Sequence, residues 1–173
     1  MTLLPEQHAQ IELEHIALEL RHGREHHLRH FVDQYYCYKH GFINASGIAK
    51  WEAILWKGYV SVEARKTRQR DLVVKEHVVP LRVIRQLLVQ SAPEGRVDLT
   101  AIAAILDQYV RFATITQKED KKLREAGLKS DMPPSFYDAD DALHKDLFAR
   151  YRTVGIDLDN DVQLPVAADV AAS

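Results

Sequence analysis

The chain has 173 residues, a formal charge of −2, and 46% hydrophobic against 28% charged residues, a balance that excludes wholesale disorder and fibrous repeats and fits one globular domain. With a sequence pI near 6.5, no global field draws it to nucleic acid or an anionic membrane, so such a role must come from local clustering. The lone Cys37 cannot form an internal disulfide, the first residues lack a signal-peptide pattern, and no apolar stretch approaches the roughly 18 residues of a membrane span, so a cytoplasmic protein with no membrane partner is expected.

From Pro5 to about His40, Ile11, Ile16, Leu18, Leu20, Leu28, Phe31, Val32 and Tyr35 recur at helical spacing, predicting one long helix or two nearly collinear ones, with Gly23 the weak point and Gly41 the stop. Asn44 or Ser46 is placed to cap a second helix over about 46 to 64, through Trp51, Ile54, Leu55 and Tyr59. A basic run, Arg65-Lys66-Thr67-Arg68-Gln69-Arg70, leads into the β-branched stretch Leu72-Val73-Val74 and then Glu76-His77, which favours extended backbone. Pro80 suits a helix start, and Leu81, Ile84, Leu87 and Leu88 give that helix a buried face that ends near Pro93.

Asp98 can cap the next helix, which carries Ile102, Ile105, Leu106 and Tyr109 inward, and Val110 to Ile115 alternates as a second strand. Thr116-Gln117-Lys118-Glu119 matches a capping box and predicts a helix from about 117 to 126, closed by Gly127. A loop from Lys129 to Asp141, a helix over about 139 to 153 and a mobile tail over 157–173 complete the chain. The predicted fold is mainly α, with about five to seven helices and a small β-hairpin at about 72–79 and 110–115, in a single domain over 1–156.

Glu76 and His77 are adjacent, follow a predicted strand and precede a proline-started helix. Metal-dependent phosphodiester hydrolysis uses these residue types together: a histidine takes a proton from the attacking water while a carboxylate holds a hard divalent cation against the phosphate. The stretch Glu76-His77-Val78-Val79-Pro80 resembles the acidic-His-aliphatic-aliphatic-Pro signature on the first strand of HNH (ββα-metal) nucleases. The resemblance spans Arg70 to near Leu123. It implies His77 as general base, Glu76 as metal ligand, the 110–115 strand as the second strand, and Asp120 or Glu119 on the following helix as a further ligand. It also implies magnesium or manganese as cofactor and DNA or RNA as partner. The chain departs from the family in having no Asn or His in that final helix, two helices between the strands, and no CxxC pairs.

Other clusters carry their own expectations. His26 and His30 have the i, i+4 spacing of a metal pair, although Arg24, Glu25 and Arg29 around them fit a solvated face equally well. Arg65, Arg68 and Arg70 could grip phosphates just upstream of the Glu-His pair, and Lys118, Lys121, Lys122 and Arg124 form a second, mixed-charge basic cluster. Two functions follow. One is an HNH-like metal-dependent nuclease or a degenerate nucleic-acid-binding relative. The other is a non-catalytic helical interaction module, homodimeric through its N-terminal helix.

Overall fold

A computed structural model describes residues 3–159. The N-terminal segment is not one long helix. α1 (Pro5–Arg21) ends, the chain reverses through residues 22–24 and a 3-10 turn at Glu25–His27, and α2 (Leu28–Lys39) runs back along it. Two ring contacts fix the antiparallel register, His15 to Phe31 at 4.8 Å and His8 to Tyr38 at 4.6 Å between centroids. Helical periodicity identifies the buried stripe, Ala9, Leu13, Ile16, Ala17 and Leu20. It does not say what covers the stripe, and here the cover is α2 and a later helix, α5 (Leu99–Tyr109), of the same chain. The face expected to seek a second copy is therefore covered from within.

The helix expected over 46–64 is also absent. Asn44 uses its side-chain oxygen to accept from Ser46 N (2.9 Å) and Ile48 N (3.0 Å), which closes a turn rather than a helix start. A 3-10 turn at Trp51–Ile54, strand β1 (Tyr59–Ser61) and the short helix α3 (Val62–Thr67) follow. Ser61 caps α3 by accepting from Ala64 N at 3.0 Å.

β2 (Val73–His77) and β3 (Phe112–Thr116) pair antiparallel from Val73↔Thr116 to His77↔Phe112, the expected hairpin-like pair. Between them lie α4 (Leu81–Gln90) and α5, the latter capped by Asp98, whose carboxylate accepts from Thr100 N at 2.8 Å. Helix α6 (Gln117–Glu125) starts directly after β3 on the expected capping box. α7 (Pro134–Tyr137) forms inside the stretch expected to be loop, and of the helix expected over 139–153 only its last part is helical, as α8 (Ala149–Thr153), with turns before it. β4 (Leu158–Asp159) pairs antiparallel with β1, which itself runs parallel to β3, giving the sheet order β2-β3-β1-β4. β4 thus occupies the first part of the expected tail, and residues 160–173 lie outside the described residues.

The result is mainly α with one small sheet. The larger core lies among α1, α2, α4 and α5, and a second one lies between the sheet, α6 and α8. No helix among the described residues is long and apolar enough to cross a membrane.

Candidate functional site

Successive side chains on a strand point to opposite faces, and this separates Glu76 from His77. On one face of β2, His77 Nε2 lies 2.9 Å from Asp33 Oδ1 of α2. A carboxylate can only accept, so the imidazole N–H donates. The His77 ring packs on Phe112 with centroids 4.5 Å apart, and its side chain is 8% exposed. Lys75 shares that face, its ammonium 3.4 Å above the Trp51 ring and donating to Trp51 O at 2.6 Å. Burial lowers its pKa to about 8. An aspartate that orients a histidine is a familiar device for a general base, but here the ring is sealed beneath aromatic side chains.

Glu76 points the other way, toward α6, and there it meets Asp120. Both carboxylates take hydrogen bonds from one cation, the Lys129 ammonium, at 2.7 Å from Glu76 Oε2 and in a very short contact with Asp120 Oδ1. Arg124 adds a hydrogen bond to Asp120 at 2.6 Å, and the fully buried Arg150 guanidinium lies 3.6 Å from Glu76. Burial pushes the Asp120 carboxyl up, but the hydrogen bonds from Lys129 and Arg124 outweigh it and hold the group below the usual carboxylate value. Lys129 is lowered by burial, then raised past its ordinary value by Asp120 and Glu76.

Lys129 reaches this position because α6 ends in a Schellman turn. Leu128 N donates to Leu123 O (2.8 Å) and Gly127 N to Arg124 O (3.1 Å), with Gly127 at φ +73. The turn folds the chain back over the helix it has just left. Arg150 then ties this loop to the end of β2, donating from Nε to Val78 O and from Nη1 to Leu128 O, both at 2.9 Å, and from Nη2 to His77 O.

These residues do not suit a divalent cation. Lys129 places its charge between the two carboxylates such an ion would need. Glu119, the other expected ligand, spends its Oε2 on the amide of Thr116 (2.8 Å), the Thr116 hydroxyl (2.9 Å) and the Ser61 hydroxyl (2.7 Å). Among the described residues, no group of three or more His, Cys, Asp or Glu side chains is arranged to hold a metal. His26 and His30 are both exposed. His26 belongs to the tighter 3-10 turn and packs on His27 with centroids 4.3 Å apart, whereas His30 sits edge-on to Phe31 at 5.5 Å, so they do not share regular α-helical i, i+4 geometry.

One lysine of the first basic cluster and two of the second meet in space. Lys66 of α3 and Lys118 and Lys122 of α6 line one groove of about 520 Å³, together with Glu63 and Glu119 and with Leu72 and Gln117 in its walls. The hydrogen bond from Lys66 holds the Glu63 carboxyl below its usual value, and the charges of Lys122 and Lys118 across the groove add to it. Among the described residues, Lys118 and Lys122 make no ion pair at bonding distance; Glu63 acts on them only across the groove. Of the three arginines expected to contact phosphates, Arg70 is committed to Glu52, with bonds of 3.0 and 3.2 Å. Arg65 and Arg68 line a separate pocket with Trp56 and Val60.

Asp33, Lys129 and Arg150 were not visible as site residues in the sequence. Asp33 and Arg150 reach β2 only through long-range packing, whereas Gly127 closing α6 was a local signal that Lys129 would fold back on Asp120. Compared with protein-family models, curated proteins and solved structures, the chain matches none.

Proposed function

We propose that the protein binds nucleic acid without hydrolysing it, along the groove between α3 and α6. The observation that carries this reading is the convergence of lysines from two segments about fifty positions apart onto one groove, where Lys66 is paired with Glu63 and Lys118 and Lys122 make no ion pair among the described residues. Unpaired ammonium groups along a groove release condensed counterions when they take up phosphates, so they supply affinity without base readout. The resemblance to HNH nucleases supports the same partner class, while the arrangement around Lys129 supports binding over cleavage. The Lys129 ammonium already bridges Glu76 and Asp120, with Arg124 on Asp120 as well, and His77 is buried against Asp33 and Phe112 on the opposite face of β2.

The test is fluorescence anisotropy with labelled DNA and RNA oligonucleotides across a salt series in EDTA. Lys118→Glu with Lys122→Glu is expected to weaken binding about tenfold or more near ~0.1 M salt and to flatten the salt slope by about 1.5. Equal affinity and slope in parent and variant would contradict this groove as the contact. No binding by the folded parent would contradict the reading itself and turn attention to a protein-interaction module.

A further inference from the structure

We propose that the Glu63 carboxylate is a resident stand-in for a backbone phosphate: it occupies Lys66, and a nucleic acid that displaces it gains a third ammonium beside Lys118 and Lys122. This inference rests on the nucleic-acid-binding reading above and names the residue that limits affinity in the groove. Lys66 Nζ donates to Glu63 Oε1 at 2.5 Å, one turn earlier on α3. Both side chains are open to solvent, Lys66 65% and Glu63 59% exposed, so an arriving phosphate can reach either.

The positive charge of the groove converges on Glu63. Lys66 donates to its carboxylate, and Lys122 and Lys118 of α6 act on the same group from across the groove, helping to hold it below its usual value. All three groove lysines thus bear on one anion, although only Lys66 pairs with it. A phosphate carries the same charge with more acceptor oxygens, so cations that favour a carboxylate at this place favour a phosphate there as well. Other polar groups of the groove are committed inside the protein. Gln117 Nε2 donates to Asp71 O at 2.6 Å, and Glu119 Oε2 accepts from the Thr116 and Ser61 hydroxyls at 2.9 and 2.7 Å. Glu63 differs from them, because Lys66 is its one hydrogen-bond donor among the described residues. An exposed ion pair is worth little, since water screens it and two long side chains lose freedom in making it, so it yields to a better acceptor. Because the three lysines line one groove, neighbouring phosphates of one strand are offered to all of them.

The experiment compares the parent, Glu63→Gln, and Glu63→Gln combined with Lys66→Gln, by anisotropy with one labelled DNA duplex across a salt series in EDTA. Glu63→Gln frees Lys66 for a phosphate, so it should tighten binding about threefold near ~0.1 M salt and steepen the salt slope by about 0.9, the counterion release of one further contact. The double variant lacks the freed ammonium and should return both affinity and slope to those of the parent. Glu14→Gln takes the same charge from α1, outside the groove, and should leave the slope unchanged. If Glu63→Gln does not fold, Glu63→Ala takes its place, since alanine suits a helix. A slope equal to the parent's in Glu63→Gln, a gain that survives the loss of Lys66, or an equal gain in Glu14→Gln would overturn the inference and leave the groove standing. Failure of both the folded parent and the folded Glu63→Gln to bind would overturn the nucleic-acid reading with it.

Discussion

Lys129 decides the chemistry of the Glu76–Asp120 pair, because one ammonium serves two carboxylates whose side chains are only 12% and 7% exposed. Removing it as Lys129→Met would leave two buried acceptors short of a donor, at a cost of about 1–3 kcal/mol, toward the lower end because Lys129 is itself 43% exposed. The pH dependence follows from the direction of the shift at Asp120. A carboxyl held below its unfolded value of about 3.9 stabilises the fold above that pH, and the contribution disappears as pH falls through the lower folded value. Chemical denaturation should therefore show a gap between parent and Lys129→Met at neutral pH that closes as the pH falls below the unfolded carboxylate value and through the lower folded one. A gap of equal size above and below those values would contradict the pairing as its source.

Among the elements, β1 is the shortest strand inside the sheet, and its position depends on close contact with β3. A Cβ built on Gly58, just before β1, would lie 2.5 Å from the carbonyl oxygen of Phe112. Backbone, unlike the end of a side chain, cannot swing away, so Gly58→Ala should cost about 1–3 kcal/mol as over-packing; an unchanged denaturation midpoint would show that β1 shifts freely. The same element marks the limit of what the sequence reveals. Thr116 and Glu119, Asp98, the β-branched run that forms β2 and the alternating run that forms β3 were legible because each signal is local: a cap within three residues, β-branched content, a period of two. Trp51, Ile54, Leu55 and Tyr59 also lie at helical spacing, yet they fold into a 3-10 turn and a strand whose partner, Ala113, is far along the chain. The hairpin of α1 and α2 was misread as collinear for a related reason, since periodicity marks a buried face and not its cover.

Across the whole molecule, a formal charge of −2 conceals an uneven distribution of charge. Acidic and basic groups around Glu76 and Asp120 neutralise one another, while Lys118 and Lys122 face an open groove and Arg68 an adjacent pocket. The Glu76-His77 pair was readable from its five-residue signature, but its consequence was not: strand alternation sends the two side chains to opposite faces, and each finds a partner, Lys129 or Asp33, that no local pattern announces. The most direct test of the proposal that nucleic acid is bound without being cut is the fate of one labelled single strand, followed by anisotropy in EDTA and by denaturing gel after excess manganese is added. The expected result is metal-independent binding with the strand recovered at full length. Binding that requires the metal, or cleavage that is lost in both Glu76→Gln and His77→Ala, would contradict it.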